Sequence, residues 1–163
     1  MARSDAGPRL IIVCGLPGSG KTTLGKALEA KLRAVRFAPD EWMHALSIDV
    51  YDEETRAKIE TLQWKLAQQL LALDLTVIIE WGTWGRSERD TLRLGARVRG
   101  AAVELHYLSA SADVLFERIQ RRAAENPPIE RDALAQWFEK FQAPTPDEMA
   151  LFDEPLIVDL SSD

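Results

Sequence analysis

The stretch LIIVCGLPGSGKT, residues 10–22, decides the fold. Leu10 to Cys14 is an unbroken apolar run, the pattern of a strand buried on both faces. Gly15 to Thr22 then satisfies G-x-x-x-x-G-K-[ST] at every fixed position. Gly15, Gly18 and Gly20 free the backbone to turn successive N–H groups inward on an anion, and Leu16, Pro17, Ser19 and Thr23 complete the loop and its exit. Leu24, Leu28 and Leu32 recur every four residues, so a helix follows and adds the positive end of its dipole. Lys21 is a compact charge able to reach β- and γ-phosphates, and the Thr22 hydroxyl suits Mg²⁺. A glycine-rich turn that merely caps a helix would not require the lysine and threonine in these places.

Working outward, strands and helices alternate. Val35 to Ala38 reads as a second strand closed by Pro39. Asp52 to Leu73 reads as a long amphipathic helix, with Ile59, Leu62, Leu66, Leu70 and Leu73 on one stripe and Asp52 as cap. Leu75 to Ile79 is a third strand, and Arg86 to Val98 a helix with Ser87 and Asp90 spaced like a capping box. Ala102 to Leu108 is a fourth strand, Ser111 to Ala124 a helix stopped by Asn126-Pro127-Pro128, Asp132 to Phe141 another helix, and Pro155 to Leu160 a fifth strand. Strands joined through helices imply a parallel sheet covered on both faces, the α/β class. Residues 1–9 read as a flexible lead and 10–163 as one domain.

Bulk composition narrows the function classes. The net charge of −6 and a pI near 5.0 disfavour a general nucleic-acid binder. No apolar run approaches the roughly 18 residues of a membrane span. The single cysteine, Cys14, cannot form an internal bridge and points to a reduced, cytoplasmic setting. A guanine-reading N/T-K-x-D is absent, which favours ATP over GTP, and the short chain favours a compact kinase, monomer or homodimer, over a motor or transporter.

GLPGSGKTT, then APDEW, VIIEWGTWGRSERD and FERIQRRAAENPP resemble in order and placement the small P-loop kinases of the nucleoside-monophosphate-kinase superfamily, over roughly Leu10 to Pro128. The group includes short AAA-type predicted kinases, with gluconate kinase, chloramphenicol phosphotransferase and polynucleotide kinase as relatives. The resemblance implies a three-layer fold with a five-stranded parallel sheet in the order 2-3-1-4-5 and the acceptor at the carboxyl ends of strands two and three. It implies that Asp40 binds the acceptor hydroxyl and takes its proton, with Glu41 the neighbouring alternative. Glu80 falls on the acid that usually serves the Mg²⁺ shell, where aspartate is commoner, so metal and substrate roles both stay open. Arg118 and Arg122 fit an R-x-x-x-R element that clamps phosphates, Arg121 competes for either role, and 123–131 would form a lid.

The residues themselves add an acceptor-site group. Trp42, His44, Trp81 and Trp84 gather at two strand ends, where aromatic rings line pockets or simply pack. Arg86 and Arg89 open a helix against its dipole, which marks them for an anion or ligand, or for pairing with Glu88 or Asp90. The expectation is an ATP- and Mg²⁺-dependent kinase acting on a small-molecule hydroxyl: a sugar acid, an antibiotic or a nucleoside-like compound. A nucleotide-sensing protein, a plain ATPase and a polynucleotide 5′-hydroxyl kinase are the alternatives.

Overall fold

The structure, a computed structural model, describes residues 7–123 and 127–157. Strand β1 (Arg9–Cys14) is central, and Leu10 through Cys14 are wholly buried, as their unbroken apolar run requires. On one side it pairs in parallel with β3 (Thr76–Gly82), which pairs with β2 (Val35–Phe37); on the other it pairs with β4 (Ala102–Tyr107). Among the described residues the sheet therefore has four strands in the order β2-β3-β1-β4, not five. Residues 155–157 are not strand, and the rest of the expected fifth strand lies outside the described residues. The segment entering it does follow the open edge of β4: Asp153 N–H donates to the Val103 carbonyl, and Leu156 N–H to the Glu104 carboxylate. Arg9 is not part of a flexible lead. It lies in β1 and is ion-paired at 2.7 Å to the buried Glu104.

Alternation along the strands assigns two faces. Ile11, Val13 and Ile78 pack with Leu28 of α1 (Lys21–Leu32) on one side. On the other, Leu10, Ile12, Val77 and Ile79 pack against Ala67 and Leu71 of α3 (Glu53–Leu71) and Leu92 and Ala96 of α4 (Arg86–Arg97). Asp52 caps α3, as expected, by accepting from Thr55 N–H at 2.9 Å. The capping box expected at Ser87 and Asp90 is absent. Gly85 is the α4 N-cap without a side-chain bond, and Glu88 supplies an acidic side chain in the first turn.

Two elements escaped sequence reading. Helix α2 (Pro39–Ala45) begins directly after β2 with proline in its first turn, and α7 (Pro146–Met149) is a single turn capped by Thr145. Between them α5 (Ala112–Arg122) and α6 (Arg131–Lys140) bury Leu115, Ile119 and Leu134 with Leu16 and Ile129, so the phosphate loop is supported from the β4 side.

Candidate active site

The loop between β1 and α1 is closely set. A Cβ at Gly15 would sit 2.7 Å from the Leu108 carbonyl, so only glycine fits between the loop and the exit of β4. Gly20 takes φ of +98° immediately before α1 and has open space around it; conformation rather than room selects glycine there. No side chain caps the first α1 amides, which leaves them to an anion. Lys21 Nζ donates to the Leu16 carbonyl at 3.1 Å, closing over the loop. Burial pushes its ammonium below the ordinary lysine range, opposed by the charges of Glu80 and Asp40, while Arg122 pushes it further down.

Strand β3 runs past its expected end at Ile79 and includes Glu80 and Trp81. Ile12 pairs with Ile79 but Cys14 with Gly82, so β3 carries one extra residue in this interval. Glu80 turns to the α1 face, where Oε1 accepts the Thr22 hydroxyl at 2.6 Å and Oε2 accepts Arg36 Nη1 at 2.7 Å. Arg36 also donates to Glu29 and Glu41. Burial works against its charge, and the three carboxylates more than offset that, holding the guanidinium above its ordinary range. Gly25 of α1 makes room for this assembly: a Cβ there would meet Glu80 Oε2 at 2.7 Å. Thr22 and Glu80 thus converge on one point beside Lys21, a hydroxyl with a carboxylate, which is the oxygen chemistry Mg²⁺ selects.

Asp40 lies in the first turn of α2 with its side chain 71% exposed, and Arg56 of α3 holds Oδ1 at 2.5 Å. Glu41, the neighbouring alternative, is instead tied to Arg36 at 2.7 Å. The carboxylate–arginine pair Asp40–Arg56 lies within electrostatic reach of the phosphate-loop lysine, beyond the carboxyl ends of the strands. From the opposite side Arg118 Nη1 reaches the Gly18 carbonyl at 3.3 Å. Arg122 lies within electrostatic reach of Lys21, while Arg121 turns outward to pair with Glu117. Of the expected lid, 124–126 lie outside the described residues. Pro127 accepts the Tyr51 hydroxyl at 2.7 Å, joining the lid region to the loop before α3.

The expected acceptor residues divide. Trp81 turns to the α3 face and donates its indole N–H to Gln63 at 2.9 Å. Trp42 packs edge-on against Phe37, and His44 is exposed in the last turn of α2. Trp84 packs on Trp137 and Phe141 of the α6 region. Arg86 is exposed and paired with Asp90. Arg89 is corrected outright: it is fully buried, held bidentately by Glu148 at 2.6 and 3.0 Å, and bonded to the Thr83 and Gln142 carbonyls, so no face of it is open to a ligand.

Sequence reading missed Arg36, Arg56, Glu60 and Gln63. Arg36 lies in β2, and Arg56, Glu60 and Gln63 lie on α3, whose apolar stripe was read for packing. Glu60 is half-buried, and burial, with the nearby Glu88 and Asp40 charges against Arg56, raises its carboxyl to about 7. Among the described residues no helix is long and apolar enough to cross a membrane.

Comparison with known proteins bears on the family and the fold. The AAA domain family model matches residues 10–144. A gluconokinase of Arabidopsis thaliana is 28% identical over 138 residues, covering 76% of this chain and 72% of its own. A shikimate kinase of Chlamydia pneumoniae is 28% identical over 122 residues, covering 69% and 65%. A solved gluconokinase from Sinorhizobium meliloti shares the fold with a TM-score of 0.61 at 23% identity, covering 86% of this chain and 78% of its own.

Proposed function

The chain belongs to the AAA domain family and is an ATP-dependent kinase of a small-molecule hydroxyl, and we propose that Asp40 is its acceptor base and that Lys21, Arg118 and Arg122 hold the phosphates. The observation that supports this assignment is an Asp40 carboxylate within electrostatic reach of Lys21, exposed yet held by Arg56. A solvent-facing carboxylate pinned by a guanidinium is positioned to accept a hydroxyl proton while the phosphate loop holds the donor. The α1 amides and residues 15–23 cradle the anion, and Lys21, already desolvated, supplies concentrated positive charge where the transferring group is held. Arg118, anchored to the loop at the Gly18 carbonyl, brings a second cation from the α5 side.

Thr22 and Glu80 would hold Mg²⁺, which would supply neutralisation of the charge developing on the transferring group. Thr22 and Glu80 fit it, since they already meet at 2.6 Å; Arg36 fixes the Glu80 carboxylate from behind. Both Glu80 roles foreseen from the sequence reduce to one in this reading, because the side chain is turned toward Thr22 rather than toward Asp40.

The test is Asp40→Asn, scored by acceptor-dependent ADP release and by ATP binding. Loss of a positioned base lowers transfer by about 10²–10⁴-fold with ATP affinity kept. Full transfer in the Asn variant would remove Asp40 from the base role. Transfer that requires no acceptor in either protein would favour the plain ATPase.

A further inference from the structure

The charge of the cleft beyond Asp40 carries a statement about the acceptor. Arg56, Glu60 and Gln63 fall within an arc of about 60° on α3 at 100° per residue. Arg56 points to Asp40, and Glu60, one turn later on the same side of α3, lies within electrostatic reach of both. The cations around it are already engaged. Arg56 serves Asp40 and the Val50 carbonyl, Arg36 serves three carboxylates, Arg86 pairs with Asp90, and Arg89 is enclosed with Glu148. Glu88 is itself half-buried and adds negative charge beside Glu60. Glu60 has no hydrogen bond and no ion pair among the described residues. Nearby, the wholly buried Gln63 spends its carbonyl on Trp81 and leaves its amide nitrogen without a partner. A half-buried carboxylate unmatched within the protein is expensive to keep unless something else matches it.

We infer that this cleft takes a positively charged acceptor, a polyhydroxylated amine of the amino-sugar or aminocyclitol kind, with Glu60 holding its ammonium group. The inference rests on the kinase reading and deepens it. The acceptor hydroxyl oxygen bonds to the γ-phosphorus, the bridging P–O bond breaks, ADP leaves, and the hydroxyl proton passes to Asp40. The amine stays protonated on Glu60 and serves only to orient the ring. Gluconate and shikimate, the acids in the names of the relatives, carry the opposite charge; an anionic acceptor would meet Glu60 with its repulsion unrelieved.

The test is acceptor-dependent ADP release by the full chain with matched rings of different charge: glucosamine, glucose and glucuronate, together with streptamine and myo-inositol. The amines should exceed their neutral and acidic counterparts by about 10- to 100-fold in kcat/KM, the worth of a charged hydrogen bond. In Glu60→Gln the amine-to-neutral ratio should collapse toward one. That variant should also unfold at higher urea than wild type at pH 8, because it removes an unpaired carboxylate, which shows that it is folded. A neutral or acidic ring equal to the amines, or amines that release no ADP while another class does, overturns the inference and leaves the kinase reading standing. Silence from every compound counts against both. An unchanged amine-to-neutral ratio in the variant removes Glu60 from recognition.

Discussion

Replacing Arg89 by methionine should unfold the molecule more readily without a specific effect on the acceptor. Four hydrogen bonds of 3.0 Å or less are lost at once: two to Glu148, one to the Thr83 carbonyl and one to the Gln142 carbonyl. Glu148 is itself wholly buried, so the substitution strands a carboxylate in the interior. Removing one partner of such a pair costs about 3–5 kcal/mol, a large share of the roughly 5–15 kcal/mol that holds a domain of this size together. With a urea dependence of about 2 kcal/mol per molar, the midpoint should fall by about 1.5–2.5 M.

Glu148→Leu should cost about as much, since it strands the guanidinium instead. The double variant Arg89→Met/Glu148→Leu should lose no more than either single one, because neither charge is then left behind; only the two carbonyls go unmatched. Indole fluorescence is a convenient probe, since Trp84 lies next to Thr83. The Thr83 carbonyl also accepts from Cys14, and Gly82 accepts from Gly15, so ATP binding should weaken in step with stability. An Arg89→Met protein with an unchanged midpoint and a selectively raised acceptor KM would refute this reasoning and return Arg89 to the substrate.

Two further perturbations discriminate equally well. Gly25→Ala should gain about 1 kcal/mol of helix propensity, yet its methyl would meet Glu80 Oε2 at 2.7 Å; a raised Mg²⁺ requirement in an ADP-release titration is the expected result, and unchanged Mg²⁺ dependence would dissociate Glu80 from the metal. Glu60, raised from 4.5 to about 7, binds a proton in the folded state that the unfolded chain has already released, so its contribution to stability falls as pH rises from about 4.5 to 7 and is flat above. Glu60→Gln should therefore be more stable than wild type by about 1–2 kcal/mol at pH 8, after allowance for solvent screening, and no more stable at pH 4; equal midpoints at both pH values would mean that Glu60 has a partner in solution.

The phosphate loop was legible because its chemistry is consecutive: strand, glycines, lysine and hydroxyl lie in thirteen residues that need no tertiary partner to be read. Asp40 was legible only through its position after a strand. The helix that carries it was not, since seven residues beginning at a proline show too little period, and only Pro39 and Met43 are buried in it. The role of Arg89 depends on Glu148, 59 positions later on a one-turn helix, and no local pattern announces such a pairing. The adverse dipole position of Arg89 was a true signal of a nearby anion; the anion proved to be the protein's own carboxylate. Glu60 was hidden differently. On a long amphipathic helix an acidic residue next to the apolar stripe reads as ordinary solvation, and only the folded neighbourhood leaves it unmatched.

Glutamate at position 80, where the resembled kinases more often carry aspartate, finds its reason in the same neighbourhood. Strand alternation from Ile78, which faces α1, directs the side chain beneath that helix, and its two oxygens are divided between Thr22 and Arg36. Gly25 removes the one Cβ that would stand in the way. An aspartate, one methylene shorter, would draw the carboxylate about 1.5 Å back toward the strand and could keep one of these partners but not both. Arg36 would then be left buried against fewer carboxylates, or Thr22 without an oriented acceptor. The longer acid thus couples the metal-side hydroxyl to the arginine that also fixes Glu41, the residue next to the proposed base. Phosphate side and acceptor side are joined through one guanidinium, and a loss at either end is transmitted to the other.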